Sequence, residues 1–140
     1  MSQRKDPRSF IAVHDDKLPI RTRLPAPNLS AGRNLVAQRY VVGWPEGIVK
    51  TGETWHGRQR WGTFLARGAT MVNVAYYANL IDSVRSETRL YEALSERYRP
   101  AFTQRIDAIP YLGGQGAGWK ECLAISKDDW DLLDDMARRF

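Results

Sequence analysis

The stretch that decides the fold runs from residue 38 to residue 54 and reads QRYVVGWPEGIVKTGET. Two runs rich in β-branched and aromatic residues flank a Pro-Glu-Gly turn at residues 45–47, and this pattern predicts a β-hairpin. If the turn closes the hairpin, the expected cross-strand pairs are Trp44 with Ile48, Val42 with Lys50, and Tyr40 with Gly52. Since side chains alternate between the two faces of a strand, Tyr40 and Lys50 should share one face of the sheet.

The segments after the hairpin predict a small α+β domain. Their patterns indicate a helix over residues 56–68, a strand over 70–80, a helix over 82–99, a short strand over 120–126 and a last helix over 127–140. The order is ββαβα followed by one more strand and helix. It predicts a three- to four-stranded, mainly antiparallel sheet flanked by helices.

The chain has 140 residues, which is enough for one domain with a hydrophobic core. We expect a basic, proline-containing N-terminal arm over residues 1–34 and a single domain over residues 35–140 that ends in a helix. The one cysteine, Cys122, excludes an internal disulfide and any zinc site with several cysteines. The sequence contains neither an apolar run long enough to span a membrane nor the apolar region of a secretory signal. These features predict a cytoplasmic protein without a membrane partner.

The charge of the chain is distributed unevenly. The formal net charge is +5, and residues 1–34 contain seven Lys and Arg against three Asp. A basic excess suits a nucleic-acid partner, because neutralising phosphates supplies affinity that does not depend on base sequence. The glycine-rich segment GGQGAG at residues 113–118 matches neither common glycine pattern of nucleotide-binding loops. The charge therefore favours a nucleic-acid partner, and no small-molecule cofactor other than a metal is expected.

An acidic residue interrupts the apolar face expected for the helix over residues 82–99. The inward stripe predicted from the helical period consists of Val84, Glu87, Tyr91, Leu94 and Tyr98. An ionised carboxylate on such a face is costly unless a cation neutralises it. The sequence therefore predicts either a metal ion or a structural ion pair with an arginine at Glu87, and both interpretations stay open.

Five arginines are predicted to contact phosphate, one of them at the catalytic position and four along the phosphate backbone. Arg60 lies one turn before Phe64 and borders the buried face of its helix, where its guanidinium could present a planar fork to a phosphate. The expected contacts to the phosphate backbone come from Arg58, Arg67, Arg21 and Arg23.

The order of these features resembles the GIY-YIG nuclease superfamily, and in particular its divergent branch with a Lys-Ile-Gly second motif. YVVG at residues 40–43 stands in place of the first motif, and KTG at residues 50–52 stands in place of the second. The segment GWKECLAIS at residues 118–126 resembles the strand with an aromatic residue and a glutamate that closes many members of that branch. The resemblance covers about residues 38–125.

The resemblance implies a metal-dependent DNA endonuclease that hydrolyses phosphodiester bonds with Mg²⁺ or Mn²⁺. Tyr40 would orient or activate the attacking water, Arg60 would stabilise charge on the phosphate, and Glu87 would hold the metal. Lys50 replaces the second tyrosine of the family, which makes the proton transfer different. It could activate the Tyr40 hydroxyl or bind phosphate.

Two alternatives remain. The lysine at the second tyrosine position is compatible with a catalytically inactive DNA-binding module on the same fold. A structural pair between Glu87 and Arg60 would instead suit a phage or plasmid accessory protein that acts through protein–protein contacts.

Overall fold

The computed structural model describes residues 37–54, 58–77 and 79–140, and of residues 58–60 it describes the backbone alone. This part of the chain contains four strands, namely β1 (Ala37–Trp44), β2 (Ile48–Thr54), β3 (Thr70–Tyr77) and β4 (Cys122–Ala124). They form one antiparallel sheet in the order β3-β1-β2-β4. The predicted α+β class and the four-stranded form of the sheet are therefore confirmed.

Four α-helices accompany the sheet in the described ranges. They are α1 (Arg58–Leu65), α2 (Leu80–Ser95), α3 (Arg105–Leu112) and α4 (Trp130–Ala137). Single 3₁₀ turns, Trp119–Glu121 and Lys127–Asp129, precede β4 and α4. Of the helices that the structure describes, none is long and apolar enough to cross a membrane.

The hairpin forms in the expected register. Trp44 pairs with Ile48, Val42 with Lys50, and Tyr40 with Gly52. The turn closes through a hydrogen bond of 2.9 Å, in which the Gly47 N–H donates to the Trp44 carbonyl. Gly47 has a φ of 106°, a left-handed conformation that glycine adopts without steric cost.

Each face of the sheet carries its own hydrophobic core. On the face covered by α1 and α3, which we call the α1 face, the core includes Tyr40, Val42, Trp44, Trp61, Phe64, Ala108 and Leu112. On the opposite face, called the α2 face and covered by α2 and α4, the core includes Val41, Val49, Val72, Leu90, Leu94 and Leu133. Alternation along β2 therefore sends Lys50 to the α1 face and Thr51 to the α2 face.

The predicted inward stripe of α2 is confirmed at Leu94, and Tyr91 and Tyr98 pack against the core of the α2 face, but the stripe is wrong for the first half of the helix. The buried residues of this helix are Ser83, Ser86, Leu90 and Leu94, whereas Val84 is 38% exposed. The helix also begins earlier than expected, after an Asn79 cap whose side chain accepts the Asp82 N–H. The Ser86 hydroxyl accepts from Arg39 and Tyr77 of the sheet, and the Ser83 hydroxyl donates to the Leu80 carbonyl of its own helix. A search for apolar periodicity does not detect buried positions of this kind. Glu87 consequently lies at the margin of the buried face and is half-buried.

Candidate active site at the open edge of strand β2

The candidate site lies at the point along β2 where its pairing with β4 ends. β4 pairs with β2 only over the three residues Ile48–Lys50, and beyond Lys50 no described strand lies on that side of β2. The turn Trp119–Glu121 leads into β4 at this point, so its last residue comes next to Lys50. An unpaired strand edge is accessible from both faces of a sheet. Groups from the α1 face and the α2 face can therefore meet here.

Lys50 is a buried cation whose three N–H groups all have acceptors. Its side chain is 1% exposed, and its Nζ donates to Glu121 Oε1 at 2.8 Å, to the Thr51 carbonyl at 3.0 Å and to the Tyr40 hydroxyl at 3.4 Å. Burial lowers the pKa of Lys50, but Tyr40 and the Glu121 carboxylate raise this pKa by more, so it lies above its ordinary value. Lys50 is therefore charged at neutral pH.

Tyr40 owes its position to the missing side chain of Gly52. A Cβ atom built on Gly52 would lie 2.3 Å from the Tyr40 hydroxyl oxygen, so the ring lies over the opposite strand only because that residue is glycine. The Lys50 ammonium lies 5.4 Å from the centroid of the Tyr40 ring. Because an ammonium only donates, the Tyr40 oxygen accepts from Lys50, and the Tyr40 proton takes no part in this hydrogen bond.

Glu87 reaches the same segment of β2 from the α2 face. The Thr51 hydroxyl donates to Glu87 Oε2 at 3.0 Å, and among the described side chains no arginine contacts this carboxylate. Burial and the nearby Glu121 carboxylate raise the pKa of Glu87, and the smaller effect of Glu53 acts in the same direction. The Thr51 hydrogen bond and Lys50 lower this pKa but do not cancel the rise. Glu87 is thus a carboxylate in surroundings that favour the arrival of a cation.

The donor set at Glu87 is compatible with one hydrated divalent cation. No three His, Cys, Asp or Glu side chains of the described residues are grouped to hold a metal. Magnesium, however, is commonly held by one or two carboxylates, several waters and the phosphate of a substrate. The Glu87 carboxylate and the neighbouring Thr51 hydroxyl supply the kind of oxygen ligands that this mode of binding needs.

The structure brings together three of the predicted catalytic residues through adjacent positions of β2. Lys50 touches Tyr40, and Thr51, the next residue, touches Glu87. The backbone of Arg60 lies in α1, as predicted, but its side chain is outside the described part of the chain.

The predicted phosphate contacts are spread over several segments. The side chain of Arg58 and all of Arg21 and Arg23 fall outside the described residues. Arg67 is exposed in the turn after α1. Its guanidinium lies against Gly113. Arg67 therefore occupies a surface position and contacts none of the other predicted site residues that the structure describes.

Sequence analysis gave no role to Glu121 or to the glycine-rich segment before it. The signal was present, because Trp119-Lys120-Glu121 belongs to the segment that resembles the closing strand of the divergent branch. Glu121 contacts Lys50, 71 residues earlier in the chain, and no local pattern reveals such a contact. Gly118 belongs to this arrangement as well, since a Cβ built there would lie 2.7 Å from Lys50 Cε.

Comparison with known proteins adds no family to this description. No family model matches the chain, and neither a curated protein nor a solved structure is significantly similar to it.

Proposed function

We propose that the protein is a metal-dependent DNA endonuclease that hydrolyses phosphodiester bonds. The observation that carries the proposal is the hydrogen-bonded chain from the Tyr40 hydroxyl through the Lys50 ammonium to Glu121, beside the separately placed carboxylate of Glu87. Hydrolysis of a phosphodiester needs a positioned nucleophile and fixed positive charge near the phosphate oxygens. A tyrosine hydroxyl, a buried cation and an ionisable carboxylate at one strand edge suit those tasks.

Each residue has a separate task in this proposal. Glu87, with the Thr51 hydroxyl, would hold Mg²⁺ or Mn²⁺, and the bound ion would supply positive charge to the phosphate. Lys50 fixes the orientation of the Tyr40 hydroxyl by donating to its oxygen, which leaves the tyrosine proton free to orient a water molecule. Arg60 would stabilise the phosphate from α1.

Binding of the DNA backbone would come from basic residues outside this chain of contacts. Arg67 is exposed and is available to a phosphate, and Arg58 together with Arg21 and Arg23 of the arm would extend the contact. Lysine and arginine contacts of this kind are independent of base sequence and weaken as salt rises.

A second candidate is favoured by the burial of two site residues. Tyr40 and Lys50 are each only 1% exposed, and every N–H of the Lys50 ammonium has an acceptor in the protein. Groups so enclosed suit a structural role, as in a catalytically inactive DNA-binding module. In that case the exposed arginines would bind DNA, and the chain of contacts at β2 would stabilise the fold.

A plasmid-nicking assay separates these candidates. The wild-type protein is incubated with supercoiled DNA at low salt, with Mg²⁺, with Mn²⁺ or with EDTA, beside the variants Glu87→Gln and Glu92→Gln. Glu92 is exposed on the same helix, so its variant matches the loss of charge without touching the site. The endonuclease is supported if cleavage requires metal, disappears in Glu87→Gln and persists in Glu92→Gln.

Two other outcomes of these assays would not support the endonuclease. Salt-dependent DNA binding without cleavage by any sample would support the inactive binding module. Absence of both binding and cleavage would contradict both candidates and leave the role in protein–protein contacts.

A further inference from the structure

Glu121, which forms a salt bridge with Lys50, is the charged and exposed member of an otherwise buried group of contacts. The Glu121 side chain is 44% exposed, whereas that of Lys50 is 1% exposed. We propose that Glu121 is a positioning residue, which holds the Lys50 ammonium against the Tyr40 hydroxyl and thereby orients Tyr40 for the reaction. This inference rests on the proposed endonuclease function and extends it to a residue that does not itself contact the phosphate.

The first step concerns the charge of Lys50. A buried ammonium is costly unless it is paired and hydrogen-bonded. Its other two acceptors, the Thr51 carbonyl and the Tyr40 hydroxyl, are neutral groups. Within the described residues, Glu121 is the one carboxylate in salt-bridge contact with Lys50. Glu121 therefore supplies the negative charge that keeps Lys50 ionised in this position.

The second step concerns the placement of Glu121, which the backbone fixes. The Glu121 N–H donates to the Gly118 carbonyl at 2.9 Å and so closes the 3₁₀ turn. Gly118 has a φ of 89°, and a Cβ there would lie 3.0 Å from Lys50 Nζ and 2.7 Å from its Cε. The end of the glycine-rich segment thus passes directly against Lys50. This explains the presence of a glycine at position 118 without a nucleotide ligand.

The test compares wild-type protein with Glu121→Gln, Glu121→Asp and the exposed control Glu92→Gln. We expect Glu121→Gln to reduce cleavage about 10- to 100-fold, the usual cost of losing a supporting group outside the direct contacts of a site. Glu121→Asp, which keeps the charge, should restore part of the rate. An undiminished rate in Glu121→Gln, or no recovery in Glu121→Asp, would overturn the proposal.

A readout that needs no cleavage separates this inference from the proposed function. In protein labelled with ¹⁵N-lysine, a buried ammonium gives a signal protected from exchange with water. We expect the Lys50 signal to be present in wild type and Glu92→Gln and lost or strongly broadened in Glu121→Gln. If wild type cleaves no DNA, the endonuclease proposal fails, and the Lys50 signal still decides whether Glu121 holds the ammonium. An unchanged signal in Glu121→Gln would refute that contact.

Discussion

Two buried cations lie on opposite faces of the hairpin, and their surroundings differ. Lys50 and Arg39 are each 1% exposed. Lys50, on the α1 face, forms a direct salt bridge with a half-exposed carboxylate at a strand edge. Arg39, on the α2 face, donates to Ser86, to the Ala137 carbonyl and to Asn73. Both side chains are buried cations, but in the described part of the chain only Lys50 has a half-exposed carboxylate as a direct partner.

The partners of Arg39 join four elements of the fold. Ser86 belongs to α2, Asn73 to β3 and Ala137 to α4, while Arg39 itself is in β1. The Arg39 charge has no carboxylate of the described residues in direct contact and is balanced indirectly. Arg39 donates to the Asn73 side chain, whose amide donates to Asp134 at 2.6 Å. Burial lowers the pKa of Arg39, and Tyr77 and Asp134 partly offset this change. We conclude that Arg39 connects the C-terminal helix to the sheet by hydrogen bonds. Lys50 instead pairs with a half-exposed carboxylate at the edge of the sheet.

The largest effect that this comparison predicts is a loss of stability on removing Arg39. Arg39→Met would remove three buried hydrogen bonds and leave the Asn73 oxygen without a donor, while Ser86 and the Ala137 carbonyl would keep Tyr77 and Phe140 as donors. We therefore expect the free energy of unfolding to fall by about 3–5 kcal/mol. Urea unfolding measures this loss. The exposed Arg85→Met on α2 is the control and should stay within about 0.5 kcal/mol of wild type. Equal losses in both variants would remove the distinction between the two buried cations.

Next in size is the effect of Glu87→Gln on cleavage. We expect a loss of at least about 100-fold, because even supporting groups outside the direct ligands of a metal cost up to that much. Glutamine keeps an oxygen that accepts from Thr51, and the DNA affinity should persist or increase since a repulsive charge is gone. A nicking gel and a binding titration measure the two outcomes.

Stability gives Glu87→Gln a second, independent readout. The raised pKa of Glu87 means that the folded state binds its proton more tightly than the unfolded state does. Its contribution to stability is therefore most favourable below the ordinary glutamate pKa and declines as pH rises through the folded-state pKa. Glu87→Gln should remove that decline and melt at or above the wild-type temperature at neutral pH. A loss of about 3–5 kcal/mol would instead indicate a structural ion pair.

Lys50→Met should produce a smaller change that separates activity from stability. The apolar side chain fills similar space, and the half-exposed Glu121 can be hydrated once its partner is gone, so the melting temperature should stay within about 5 °C, equivalent to about 1 kcal/mol. Cleavage should fall about 10- to 100-fold because the Tyr40 oxygen loses its donor. Thermal melting and cleavage rates measure both. A large loss of stability with an unchanged rate would make Lys50 as structural as Arg39.

The stability of wild type should also depend on Lys50 at alkaline pH. Because its pKa is raised in the folded protein, the stabilisation is fully present below the ordinary lysine pKa and is lost as pH rises through the folded-state value. Urea unfolding between neutral and strongly alkaline pH should show this decline in wild type. The decline should be smaller in Lys50→Met, where the raised pKa values of Tyr91, Tyr98 and Cys122 still contribute to it. A decline equal to that of wild type would assign it to those groups alone.

The smallest expected effect concerns the basic arm. Affinity for duplex DNA should fall steeply with salt, and deletion of residues 1–24 should flatten that dependence while the core still unfolds cooperatively. Fluorescence anisotropy at several salt concentrations measures the slope. Binding that is absent at low salt or indifferent to salt would contradict a DNA partner altogether.

The sequence was sufficient to predict features that depend on neighbours in the chain. The Pro-Glu-Gly turn fixed the hairpin register, and that register correctly placed Tyr40 and Lys50 on one face. The short helix α3 was not predicted, since Pro110 lies inside it and proline usually marks the end of a helix.

Features that depend on distant partners were not predictable in this way. Ser86 is buried because the Arg39 guanidinium, 47 residues earlier in the chain, donates to it. Apolar periodicity therefore predicted Leu94 correctly but displaced the first half of the inward face of α2 by one residue, to Val84 and Glu87 in place of Ser83 and Ser86. Glu121 acquires a role only when β4 pairs with β2 and brings it to Lys50. A single sequence contains the residues of such pairs but no signal that connects them.

The contact between Tyr40 and Gly52 has a consequence for how the hairpin folds. A slip of one residue between β1 and β2 would turn Lys50 to the wrong face. A slip of two residues would preserve the faces but place Lys50 or Thr54 opposite Tyr40, where the space observed beneath the hydroxyl admits no Cβ atom. The Tyr40 ring in its observed position is therefore compatible with the native alignment and incompatible with both two-residue slips. The same glycine that makes room for the ring also favours the correct register.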